Sequence, residues 1–123
     1  MLKYNHIGIP TAGTFEGEID LPHLKMTVSD HLGNPFGIQR QRYWAGAPYP
    51  ELVKSVPHVA FEVDDLAAAM AGQRVLIAPN RPSAGLTVAF IEVAGAPVEL
   101  MQYDRERVAH APTEPAPESR AGR

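Results

Sequence analysis

His6 and His58 occupy matching places in the chain. Each sits in a short alternating stretch, Tyr4-Asn5-His6-Ile7-Gly8-Ile9 and Val56-Pro57-His58-Val59-Ala60-Phe61. The stretches that close the two halves also correspond, Gly37-Ile38-Gln39-Arg40-Gln41-Arg42-Tyr43 against Pro97-Val98-Glu99-Leu100-Met101-Gln102-Tyr103. Two β modules of this kind, each contributing a pair of potential ligands, could build one metal site between them. Imidazole nitrogens and oxygen donors suit a divalent ion that keeps exchangeable water positions. Such an ion could chelate two neighbouring substrate oxygens, polarise a carbonyl and stabilise enediolate-like charge while a base moves a proton.

Other chemistries are excluded or disfavoured by composition. The chain has no cysteine, which removes disulfides, thiolate nucleophiles, zinc fingers and iron–sulfur ligation. No phosphate-cradling glycine loop and no Ser/His/Asp pattern is present. A net charge of −3 and a pI near 5.9 give no global pull on nucleic acid, and the basic residues are scattered apart from the Arg40/Arg42 pair. No apolar run is long enough to span a bilayer, so neither a nucleic-acid nor a membrane partner is expected. The first residues enter a strand at once, without the basic and apolar regions of a secretory signal, and the expected compartment is the cytoplasm.

The 123 residues suit one domain, so repeated modules must share a core. Strands are expected at Lys3 to Pro10, Leu24 to Val28 and Phe36 to Trp44, with a further piece near Glu18 to Leu21. Ala45 to Pro57, rich in proline, reads as the connection between halves. The second half reads as a strand at His58 to Val63, a short helix from Leu66 to Ala71 and three strands at Arg74 to Ala78, Leu86 to Val93 and Val98 to Tyr103. Asp64-Asp65 supplies that helix start and Gly72 its end, and Pro79 to Gly85 reads as a turn region. Thr11 to Gly17 is too short and too poor in apolar spacing to hold a helix. The expected class is therefore α+β: two paired βαβββ-type modules, about 1–44 and 58–103 with linker 45–57, the first with its helix shortened or missing. Residues 104–123, an Ala/Pro/Glu/Arg tail, read as disordered.

Strand parity orients the candidates. His58, Ala60 and Glu62 share one face, while Val59, Phe61 and Val63 share the other. Glu99, Met101 and Tyr103 likewise share a face, as do Gln39, Gln41 and Tyr43. Arg40 and Arg42 then lie behind their strand, which is costly under a helix and reasonable where no helix covers it.

The openings His-Ile-Gly-Ile and Pro-His-Val-Ala-Phe-Glu-Val-Asp-Asp-Leu, with the closing Pro-Val-Glu-Leu-Met-Gln, resemble the vicinal oxygen chelate superfamily. That group includes glyoxalase I, bleomycin-resistance proteins, methylmalonyl-CoA epimerase and extradiol dioxygenases. The likeness covers about Leu2 to Tyr103 and is weakest between Thr11 and Phe36. It implies an open, cup-like barrel with metal ligands on the first and last strands of each module, here His6, Gln39, His58 and Glu99. Gln39 stands where many relatives carry glutamate, and a His/Gln/His/Glu set resembles that of methylmalonyl-CoA epimerase. The implied cofactor is a divalent metal ion (Zn, Ni, Co, Mn or Fe), and the implied assembly is a homodimer.

The leading functional reading is a glyoxalase-like, metal-dependent isomerase or lyase acting on a small carbonyl, oxo-acid or thioester substrate through its vicinal oxygens. Two alternatives stand beside it: a ferrous-iron extradiol-type dioxygenase using His6, His58 and Glu99, and a non-catalytic, antibiotic-type small-molecule binding protein. Tyr43, Met101 and Tyr103 are the expected substrate contacts at the mouth of the cup. No base is singled out among Glu18, Asp20 and His23. His31 and His110, in loop-like and tail segments, read as ordinary structural or solvated residues.

Overall fold

A computed structural model describes residues 1–104 of the chain; the tail expectation from residue 105 onward lies outside the described residues. Eight strands, β1 (Lys3–Pro10), β2 (Ile19–Leu21), β3 (Met26–Val28), β4 (Ile38–Tyr43), β5 (His58–Glu62), β6 (Arg74–Ser83), β7 (Leu86–Val93) and β8 (Ala96–Tyr103), form one curled sheet. Helix α1 (Glu51–Ser55) lies between the halves and α2 (Leu66–Met70) within the second. No helix among the described residues is long and apolar enough to cross a membrane.

The strand order, β2-β3-β4-β1-β5-β8-β7-β6, reads the same from either end once the two halves are exchanged. In each half the first strand pairs in parallel with the last, β1 with β4 and β5 with β8. The halves join where β1 runs antiparallel to β5. Across that seam His6 faces Ala60, Ile7 faces Val59 and Gly8 faces His58. Gly8 pairs with Gln39 on one flank and Ala60 with Glu99 on the other. The register thus makes His6 equivalent to His58 and Gln39 equivalent to Glu99, as the repeat implied.

Alternation along the strands splits the apolar residues into two layers. Val63, Leu66, Ala89, Ile91 and Leu100 form the layer that α2 covers, with Ala69, Met70 and Val98 packed against it. Ala60, Leu86, Val88 and Met101 form a layer on the opposite face. Asp65 caps α2 through a carboxylate oxygen that accepts from Ala68 N–H at 3.1 Å, a contact typically worth about 1 kcal/mol.

The first half has no counterpart of α2. Ile38 and Arg40, on the outer face of β4, are exposed while Gln39 and Gln41, which alternate with them, are buried. Arg42 holds the loop that stands where the helix would be. Its guanidinium donates to Gly13 C=O at 3.2 Å and to the Glu18 carboxylate, and lies 5.5 Å from the Phe15 ring centroid. Cation–π contact and a snorkelling stem explain how an arginine sits behind this strand.

The linker 45–57 contains α1, a five-residue helix whose Val53 is fully buried; Glu51 in its first turn and Lys54 in its last complement the helix dipole. Two expectations need correction. β6 continues through Pro79 and Pro82, where a turn region was expected. It is an edge strand with irregular register against β7, and an edge tolerates prolines because one row of its N–H groups has no ladder partner. Finally, the strand expected from Leu24 begins at Met26, because Pro22–Leu24 forms a 3-10 turn closed by Lys25 at a positive φ of 54°.

Candidate metal centre

His6, His58 and Glu99 come from β1, β5 and β8, three neighbouring strands at the middle of the sheet. All three are buried, at 0%, 1% and 7% exposure. Glu99 Oε1 lies 3.1 Å from His58 Nε2 and 3.3 Å from His6 Nε2. One donor atom from each residue fits within a mutual separation of 4.8 Å. Two ligands bonded to one ion at about 2.1 Å in tetrahedral geometry stand roughly 3.4 Å apart. The carboxylate–imidazole spacings therefore suit a shared cation, and two imidazoles with a carboxylate suit zinc, iron or a similar divalent metal.

Room for this arrangement comes from position 8. A Cβ on Gly8 would lie 2.4 Å from His58 Cε1 and 2.8 Å from Gln41 Nε2. The His58 ring rests instead over the bare Gly8 backbone and against Phe90, with ring centroids 4.9 Å apart. The two histidines differ in their outward partners. His6 Nδ1 is 2.6 Å from Asn5 Oδ1, whereas His58 Nδ1 is buried with no hydrogen-bond partner among the described residues.

Gln39 is buried beside the cluster and lines the same pocket as His58 and Glu99. Its Oε1 accepts from Gln41 Nε2 at 2.7 Å, and Gln41 Oε1 accepts from Tyr43 O–H at 3.0 Å. A chain of donors thus ends on the Gln39 carbonyl, whose second lone pair remains for another contact. Burial pushes the Tyr43 phenol well above its usual range, helped by the negative charge of Glu99 and by Tyr49. Tyr43 is consequently a neutral hydrogen-bond donor at physiological pH.

The pocket has a volume of about 80 Å³, enough for several waters or the reactive end of a small molecule. Its walls are mainly apolar, from Leu24, Met26, Val53, Leu86, Val88 and Phe90, with polar groups at Gln39, Gln41, Tyr43, Tyr49 and Asn80. His6 lies behind this surface and is not on the wall.

Of the expected substrate contacts, Tyr43 lines the pocket. Met101 is fully buried in the layer with Ala60, Leu86 and Val88. Tyr103 packs against that layer and borders a separate outer cleft with Lys3, Glu62 and Asp64. The three candidate bases all lie off the pocket wall. Glu18 is ion-paired with Arg42, which holds its carboxyl below the usual range. Asp20 accepts from Thr27 O–H at 2.8 Å, and His23 is exposed.

Sequence reasoning missed Val53 and Tyr49, which the linker carries into the pocket. It also missed His31, which a 3-10 turn buries with its ring centroid 5.1 Å from that of His6. The Pro50-Glu51 start was a usable signal for α1. Nothing local marks His31, because its burial depends on strands distant in the chain.

No family model and no curated protein matches the sequence. Among solved structures the fold is similar to a hypothetical protein from Bacillus halodurans C-125, at a TM-score of 0.57 and 16% identity, covering 85% of this chain and 96% of that one. It is also similar to methylmalonyl-CoA epimerase from Mycobacterium tuberculosis, at a TM-score of 0.54 and 19% identity, covering 87% and 91%. At these identities the likeness is one of fold.

Proposed function

We propose that this chain is a metal-dependent isomerase or lyase that binds a small carbonyl, oxo-acid or thioester substrate through two neighbouring oxygens. The convergence of His6, His58 and Glu99 from three strands into one buried cluster carries this reading. These residues would hold a divalent ion, with Gln39 beside them as a weaker, neutral donor. The ion would supply Lewis-acid polarisation of the substrate carbonyl. The protein supplies the rest: the apolar walls exclude water, Tyr43 and Gln41 keep the Gln39 amide oriented, and the Phe90 and Gly8 contacts seat the His58 ring. The similarity in fold to an epimerase structure supports the isomerase reading over other uses of the same cup.

A second reading follows from the ligand types. Two histidines and one carboxylate make the set used by non-haem ferrous oxygenases, so a dioxygenase acting on a vicinal diol is the alternative. Metal analysis of protein purified without added metal tests both, on wild type and His58→Ala. About one divalent ion per chain is expected in the wild type and little in the variant. Iron with oxygen uptake favours the oxygenase. A wild-type protein that neither carries nor takes up Zn, Ni, Co, Mn or Fe overturns both enzymes and leaves small-molecule binding.

Tyr4, Phe36 and Ile38 are exposed on the first half, which has no α-helix, and the working unit we propose is a homodimer that covers them.

A further inference from the structure

β1 has one irregularity, and it lies beside the cluster. Tyr4 pairs with Phe61 and His6 with Ala60, so Asn5 is the extra residue of a β-bulge. In a regular strand adjacent side chains leave on opposite faces and cannot touch. A bulge re-aims them, and here Asn5 Oδ1 comes within 2.6 Å of the neighbouring His6 Nδ1. The other end of the same amide donates to Glu62 Oε2 at 2.9 Å.

These contacts determine where the His6 hydrogen sits. A carboxylate oxygen accepts, so the Asn5 NH2 group faces Glu62 and its oxygen faces His6. An amide oxygen also only accepts, so His6 must carry its hydrogen on Nδ1. A neutral imidazole has one such hydrogen; the Nε2 lone pair then points at Glu99 Oε1, 3.3 Å away. Two lone pairs brought that close are bridged by a proton or by a metal ion.

We propose that Asn5 and Glu62 are positioning residues that hold His6 as the Nδ1–H tautomer and so present Nε2 for metal ligation. This role rests on the metal reading above for its purpose, while the tautomer itself is a property of the metal-free protein. His58 has no equivalent support, since its Nδ1 is without a partner among the described residues. His6 is the pre-set ligand and His58 the adaptable one.

The test is nitrogen NMR of the two imidazole rings in metal-free protein, at a pH where both are neutral, combined with zinc affinity by competition against a chromophoric chelator. Wild type should show His6 protonated on Nδ1. Asn5→Ala should move His6 toward the Nε2–H form and lower zinc affinity roughly 10- to 100-fold, the usual cost of losing a group that orients a ligand. Glu62→Gln, which still accepts from the Asn5 amide, should keep the wild-type ring signature, and Glu62→Ala should not. Should Asn5→Ala fail to fold, Glu62→Ala reads the same two quantities. A wild-type His6 protonated on Nε2, or a ring signature and affinity unchanged in Asn5→Ala and Glu62→Ala, overturns the proposal. An Asn5-dependent tautomer in a protein with no zinc affinity supports the control of His6 and overturns the metal reading instead.

Discussion

Gly8 faces His58 across the seam between the two halves, and a methyl group at position 8 would lie 2.4 Å from His58 Cε1. Backbone conformation is not the reason for glycine there, because Gly8 is not among the positive-φ glycines. The requirement is space for an imidazole ring. The equivalent position in the other half, Ala60, faces His6 and carries its Cβ while fully buried, so the two histidines are seated differently despite the repeat.

Gly8→Ala should therefore displace the His58 ring. The expected cost is about 1–3 kcal/mol of stability, in the range of overpacked cores, together with weakened metal binding. Chemical denaturation and chelator competition measure the two effects. Wild-type zinc affinity in Gly8→Ala would contradict the seating of the His58 ring by the bare Gly8 backbone.

Removing ligands should produce unequal losses. His58→Ala deletes an imidazole from a buried three-residue cluster and should lower zinc affinity by at least about 100-fold, while near-ultraviolet circular dichroism stays close to wild type. Gln39→Ala should cost less than about 10-fold, because a water can replace a neutral amide oxygen. Equal losses in the two variants would give Gln39 a larger role than its chemistry suggests.

Alkaline stability should depend on Tyr43. Its phenol pKa is raised in the fold from an ordinary value of 10.0, so above that pH the unfolded chain releases a proton that the folded chain retains. The unfolded state then binds fewer protons, and stability falls as pH rises. The contribution is fully present below pH 10 and is lost progressively above it. Tyr43→Phe should be less stable at neutral pH by roughly 1 kcal/mol, through the lost bond to Gln41. It should also lose less stability between mildly and strongly alkaline pH. Parallel pH–stability curves for the two proteins would contradict the assignment.

Self-association should require the uncovered face of the first half. Phe36 is 69% exposed and Ile38 40%, and Tyr4 O–H donates to Phe36 C=O at 2.6 Å. Sedimentation should show a dimer for wild type and a monomer for Phe36→Asp with Ile38→Asp, each folded. A wild-type monomer at high concentration removes the dimer from the proposal.

Much of this site was legible in the chain because its geometry follows from strand alternation. Period-2 patterning put His58 and Ala60 on one face and Glu99 opposite Leu100; Leu100 packs with Leu66 of α2, while Ala60 joins the other layer and Glu99 meets His58. The matched openings and closings foretold the equivalence of His6 with His58 and of Gln39 with Glu99, since repeated strands in one sheet must share a register. Even the missing helix was readable, from a short polar loop and two arginines behind β4.

Tertiary structure decided what local pattern cannot encode. The Asn5 bulge depends on how β1 pairs with β5, so nothing in Tyr4-Asn5-His6 announces that two adjacent side chains meet. His31 is buried only because its turn packs beside His6, and Val53 and Tyr49 reach the pocket only because the linker folds back over it. β6 runs through two prolines because it lies at an edge, a position defined by the whole sheet. Alternation is a property of one strand and can be read from one strand; seating, bulging and edge placement are properties of strand pairs far apart in the chain, and only the folded sheet brings those pairs together.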